Sequence, residues 1–186
     1  MNNPVLDVIA SRSSIRDYTP EPLTADEISA LKQAALAAPT ARNEQNQRFY
    51  FITSPALKDE IDKAVVDYFV AKGDQAVVDL LASRNNKVLY DAPLYVAIAI
   101  DTNNPYGKVD AGIAVQNLAL AAKSMGLDSV ILGFPGMAFQ GAKGADLKKK
   151  LGFPDGFEYG IGISIGHAAK GKEPHQGNPE HIITIA

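Results

Sequence analysis

Leu94-Tyr95-Val96-Ala97-Ile98-Ala99-Ile100 is apolar from end to end. A strand with one wet face would alternate apolar and polar residues. An unbroken run of this length reads as a central strand covered on both faces. The segments around it supply the cover. Val109 to Met125 is long, Ala-rich and largely apolar, and Gly126 stops it. A helix that is apolar nearly all round is a buried one, at the heart of the domain or against a partner subunit. Thr24 is a natural N-cap with Glu27 three residues on, the pattern of a capping box. Ile28, Leu31, Ala35 and Leu36 then recur at helical spacing, and Pro39 ends that helix. Val5–Ala10 reads as a short helix. Ser54-Pro55 opens another, carrying Leu57, Ile61, Val65, Tyr68 and Phe69. Gly73-Asp74 breaks the pattern before a helical stretch that runs to about Asn86. Further strands are expected over Arg48–Thr53, Ser129–Leu132 and Glu158–Ile165, the last with glycines that suggest close backbone approach. Strands and helices mix without strict alternation. The expected fold is therefore an α+β sandwich, with helices around a small, mostly antiparallel sheet and one buried long helix. His181-Ile182-Ile183-Thr184-Ile185 reads as a strand-like tail in need of a sheet, its own or a neighbour's.

The chain has 186 residues, which suits one domain over 1–186 with a proper core. Apolar residues make up 46% and charged residues 21%, with a net charge of −3. No strong basic field is available to hold nucleic acid or anionic lipid, so neither partner is expected. The absence of cysteine removes disulfides, thiolate metal sites and thiol catalysis. His167, His175 and His181 lack metal-ligand spacing, so no metal is expected. The N-terminus lacks the charged and apolar regions of a signal peptide, and no apolar run approaches a membrane span. The expected location is cytoplasmic.

Two short motifs carry the chemistry. Ser11-Arg12-Ser13-Ser14-Ile15-Arg16 sets two arginines four residues apart around two hydroxyls. The planar guanidinium fork fits phosphate oxygens two at a time, and hydroxyls with free amides complete an anion cradle. Taken alone, Arg12 and Arg16 read more readily as surface residues paired with Asp7, Asp17 or Glu21. The second motif is Ala38-Pro39-Thr40-Ala41-Arg42-Asn43-Glu44-Gln45, a polar turn between a helix and a strand. No Walker phosphate loop and no dinucleotide-binding Gly-x-Gly-x-x-Gly is present.

The ordered set of motifs resembles the FMN-dependent nitroreductase family over nearly the whole chain. The stations are Arg12–Tyr18, Ala38–Gln45, Asn85–Pro93, Asp110–Ala122 with Gly126–Ser129 and Leu132-Gly133-Phe134, and Ile165-Gly166-His167 with its basic tail. With them in order, the Arg12–Arg16 segment reads as a clamp. The resemblance implies FMN at a homodimer interface, each site drawing on both subunits. Arg12, Ser13 and Ser14 would hold the phosphate and ribityl end. Arg16 would lie near the N1–C2=O edge of the ring as a redox-tuning cation; no catalytic acid or base is identified, since the flavin carries the chemistry. Pro39, Thr40, Ala41 and Asn43 would come from the second subunit, and Asn85 would read the pyrimidine edge. Backbone N–H groups around Leu132 and Gly133 would approach N5. Two departures stand out. Asn46-Gln47 replaces the Pro-Trp of many relatives, and His175, with Lys170 or Lys172, stands where larger relatives place a Lys and an Arg. The implied activity is reduction of nitroaromatics, quinones or related acceptors by NAD(P)H in a ping-pong hydride transfer. A carrier or sensor of FMN with little turnover is the alternative.

Overall fold

The structure, a computed structural model, describes residues 3–185. Met1 and Asn2, which head the N-terminal stretch read above for a leader, lie outside the described residues, as does Ala186. Four strands form one sheet in the order β1-β2-β4-β3: β1 (Arg48–Ile52), β2 (Leu94–Asp101), β3 (Asp128–Leu132) and β4 (Phe157–Gly166). Every pairing between them is antiparallel. β2 is the central strand the apolar run predicts, buried from Leu94 to Ile100.

Helices cover both faces, which is why β2 does not alternate. On one face, Val96, Ile98, Ile163 and Ile165 pack against Leu31 and Ala35 of α2 (Ala25–Leu36). Ala111, Ala114, Leu118 and Ala122 of α5 (Gly107–Ser124) join the same layer. On the other face, Tyr95, Ala97, Val130 and Leu132 meet Ile61 and Val65 of α3 (Pro55–Lys72), Leu81 of α4 (Gln75–Ala82) and Leu147 of α6 (Gly144–Leu151). α1 (Pro4–Ser11) is capped by the Asn3 side chain and lies along the C-terminal turns of α5.

The capping box on α2 is complete: Glu27 N–H donates to the Thr24 hydroxyl at 3.2 Å, and Thr24 N–H donates to the Glu27 carboxylate at 2.7 Å. Three expectations change in detail. The helical stretch after Gly73 ends at Ala82 and not near Asn86, because Asn85 and Asn86 take left-handed backbone angles that close a turn. α5 is buried along one face only; Val109, Gly112 and Ile113 face outward. The tail forms no strand with its own sheet. A 3-10 turn over Pro179–His181 leads into Ile182, Ile183 and Ile185, all exposed.

Candidate cofactor site

α1 stops at Ser11 because Arg12 turns to extended backbone. The chain then runs along the free edge of β3. Ser14 pairs in parallel with Ser129, and Ile15 N–H donates to Ser129 O at 3.0 Å. Farther on, Tyr18 pairs with Ala168, and Thr19 N–H donates to His167 O at 2.9 Å. Extended backbone alternates its side chains. Ser13 and Ile15 therefore point inward, while Ser14 and Arg16 point outward. Ser13 donates its hydroxyl to Lys172 O at 2.7 Å, so it ties the tail to this segment. Arg12 is half-buried and Arg16 exposed. Among the described residues, neither has a carboxylate within ion-pair distance. Asp7, Asp17 and Glu21 thus leave both guanidinium groups free. Two unpaired guanidinium groups on one short segment suit an anionic ligand.

Arg16 lies 6.0 Å from the centroid of the Tyr90 ring. It shares a groove of about 490 Å³ with Asn85, Tyr18, Arg84 and Tyr90. The Arg84 guanidinium donates to the Tyr90 hydroxyl at 3.4 Å. The structure thus brings Arg16 and Asn85 together. What holds Asn85 there is a set of contacts the sequence reading missed. From α3, Asp62 Oδ1 accepts from Val88 and Leu89 N–H, both at 2.9 Å. One turn earlier, Lys58 Nζ donates to Ala92 O and to Pro93 O. Ser164 adds its hydroxyl to Leu89 O at 2.9 Å. Lys87 bridges Asp59 and Asp91 at 2.6 and 2.8 Å, neutralising the carboxylates around Asp62. Burial pushes the Asp62 carboxyl up to about 6, against the two N–H donors and Lys87. Burial likewise lowers the Lys58 ammonium. The signal was available: Lys58 and Asp62 stand i, i+4 beside Ile61 and Val65, so both face the interior.

The second motif folds as a 3-10 turn over Ala41–Asn43. The Thr40 hydroxyl accepts from Gln45 N–H at 3.1 Å, and Ala41 N–H donates to Asp110 Oδ1 at 3.0 Å. Asp110 is 2% exposed, and its second oxygen is buried with no hydrogen-bond partner among the described residues. No role for it is read from the sequence above; a lone carboxylate on the apolar side of a helix is the cue. Among the described residues, all seven non-glycine residues with left-handed backbone lie in two stretches: Arg42, Asn43 and Gln45, then Asn85, Asn86, Tyr90 and Asp91. Such strain concentrates where surrounding structure holds a site in shape. Both stretches are motif segments.

The two motifs are far apart in one chain. Asp110 lies in the first turn of α5, while α1, leading into Arg12, lies against Leu120, Ala121 and Ser124 at its other end. Fourteen residues of helix put about 20 Å between those ends. Arg12, Ser14, Arg16 and Asn85 therefore gather at one end, and Pro39, Thr40, Ala41 and Asn43 at the other. Leu132 and Gly133 close β3, the strand that carries the first group. His175 is exposed in the tail.

A family model, the Nitroreductase family, matches residues 9–167. The chain belongs to that family. It is 29% identical to an NADPH-flavin oxidoreductase of Vibrio harveyi over 189 aligned positions, covering 98% of this chain and 73% of that relative. Among solved structures, a nitroreductase with bound FMN from Desulfitobacterium hafniense DCB-2 superposes with a TM-score of 0.93 at 32% identity, each chain fully covered. The NADPH:FMN oxidoreductase of Vibrio harveyi, complexed with NAD+, superposes with a TM-score of 0.72 at 26% identity, covering 99% of this chain and 77% of that one.

Proposed function

We propose that this chain is one FMN-binding unit of a homodimer and works as an NAD(P)H-dependent oxidoreductase on small acceptors such as nitroaromatics and quinones. The observation that carries the cofactor is the Arg12–Arg16 segment, whose two guanidinium groups stand free of carboxylates beside the groove holding Asn85. Arg12 and the outward Ser14 suit a phosphate; Ser13 holds the tail carbonyl at Lys172 and acts on the ligand through the shape of the segment. Arg16 supplies a fixed positive charge where the reduced ring is anionic. FMN, when bound, supplies hydride and electron transfer. The protein's part is to bind and orient the ring and to leave one face open. The tail cations Lys170, Lys172 and His175 remain candidates for the phosphate.

The homodimer rests on the distance between the motifs. Pro39–Asn43 of one chain, near the first turn of α5, is too far from its own Arg12–Arg16 to share a ligand. A second copy, turned end for end, brings them together. The outward face of α5 with Val109 and Ile113, the exposed tail at Ile182, Ile183 and Ile185, and the free edge of β1 are available to such a partner.

The test is a visible spectrum of the purified protein, then anaerobic NADH and NADPH in turn, then a quinone or nitroaromatic. A flavin spectrum that bleaches with a nucleotide and recovers with the acceptor is expected. A flavin that neither nucleotide bleaches moves the reading to an FMN carrier or sensor. No flavin after incubation with FMN removes the cofactor reading itself.

A further inference from the structure

Tyr95 and Tyr159 form a buried hydroxyl pair at 2.9 Å, and the Tyr159 hydroxyl also lies 2.6 Å from Leu132 O. Burial raises both phenols, so both keep their protons. A carbonyl only accepts, so Tyr159 donates its one proton to Leu132 O. Tyr95 must then donate to Tyr159.

Three features of the sequence serve this arrangement. β4 pairs Ile161 with Ile98 and Tyr159 with Ala99, so Gly160 is an extra, bulged residue. Strict alternation from Ile161, Ile163 and Ile165 would put Tyr159 on the α2–α5 face. The bulge moves it to the opposite face, beside Tyr95 and Leu132. A Cβ at Gly160 would press on the Ile100 side chain at 2.9 Å. A Cβ at Gly162 would collide with both tyrosine hydroxyls. Gly136 packs against the Tyr159 ring with no room for a Cβ.

The consequence lies in the next peptide. Ser129 O points to the free edge of β3, where Ile15 N–H meets it. Carbonyls alternate along a strand, so Leu132 O, three residues on, points the other way, toward β4 and Tyr159. The Leu132–Gly133 peptide is trans. In a trans peptide the N–H lies opposite the C=O. The Gly133 N–H therefore points out at the free edge, the edge that carries Ser14 and Arg16. Gly133 is exposed, and its own carbonyl is taken by Gly136 N–H at 3.0 Å.

We propose that Tyr159, backed by Tyr95, is a positioning residue of the cofactor site: by holding Leu132 O against β4 it fixes the Gly133 N–H outward, where it donates to N5 of FMN. The proposal rests on the FMN reading above.

The test compares full-length wild type, Tyr159→Phe and Tyr95→Phe by NMR, first as 15N-labelled apoprotein, then reconstituted with 15N-labelled FMN. In the apoprotein, Tyr159→Phe moves the Gly133 amide resonance, because a bond to the carbonyl polarises the whole peptide. In the loaded protein, the N5 resonance moves downfield, as for a pyridine-like nitrogen losing a donor. FMN affinity falls by at most about tenfold, the worth of one hydrogen bond. Tyr95→Phe gives a smaller N5 shift in the same direction. An N5 resonance unmoved in FMN-loaded Tyr159→Phe overturns the proposal. Should that variant not fold, an unmoved N5 in Tyr95→Phe overturns it equally. Wild type that takes up no FMN removes the cofactor reading and this proposal together; it is recognised by the absent N5 signal while the Gly133 amide still responds to Tyr159→Phe.

Discussion

Asp62 is the residue whose ionisation most directly couples stability to the site. Its carboxyl is buried and raised from 3.8 to about 6 by desolvation, while the unfolded chain keeps an ordinary value near 4. Between those values the native state binds more protons than the unfolded state, so stability falls as pH rises from 4 to 6. Above pH 6 the cost is fully present, about 3 kcal/mol at most. Asp62→Asn keeps an acceptor for Val88 and Leu89 N–H and removes the titration. Urea unfolding of both proteins across pH 4 to 7 should show wild type gaining on the variant as pH falls. A difference flat across that range would mean that Asp62 does not titrate there. The role proposed for Arg16 runs in the other direction, on the bound ligand. Arg16→Met is expected to lower the FMN midpoint potential by about 30 mV or more, a tenfold change in a two-electron equilibrium. A folded, FMN-loaded variant with the wild-type potential removes the tuning role.

Elements differ in how openly they announce themselves. α2 was legible because its signal is local: Thr24 and Glu27 each bond the other's backbone, and no distant residue is needed. Thr24→Ala should cost about 1 to 2 kcal/mol, read as a lower urea midpoint with an unchanged slope. β2 was legible because both its faces are covered, and Ile98→Ala should cost about 2 to 5 kcal/mol for the same reason. The motifs at Arg12–Arg16, Pro39–Asn43 and Asn85 were legible as residue types in order. Their arrangement was not. Ser13 reads as a phosphate ligand until pairing along the β3 edge turns it inward to Lys172, and that pairing joins residues 115 apart in the chain at Ser14 and Ser129. The β4 bulge is a register event between strands, so Tyr159 gives no sign of its face in a one-dimensional pattern. Its glycines did signal close approach: the Tyr95 and Tyr159 hydroxyls crowd Gly162, and the Ile100 side chain crowds Gly160. Lys58 and Asp62 were passed over because charges at helical spacing usually lie in water; here they hold a loop closed.

For the whole molecule, the feature that bears on assembly is the roughly 20 Å that separates Arg12–Arg16 from Pro39–Asn43 in one chain. If each site joins Arg12–Arg16 of one subunit to Pro39–Asn43 of its partner, two variants defective in different halves must complement. Arg12→Ala spoils the clamp and leaves the turn intact. Thr40→Ala with Asn43→Ala does the reverse. Each homodimer then has two spoiled sites. A mixed dimer has one site spoiled twice and one site of wild-type composition, made from the sound clamp of one chain and the sound turn of the other. Random reassociation of equal amounts makes half the dimers mixed, so FMN occupancy should recover to about a quarter of the wild-type value. The measurement is bound flavin absorbance after co-unfolding and refolding the two variants, with each variant alone as the baseline. Sites confined to single subunits would leave the mixture at that baseline, because no chain in it carries both halves intact. Recovery to a quarter would tie the roughly 20 Å separation along α5 to the assembly that the cofactor requires.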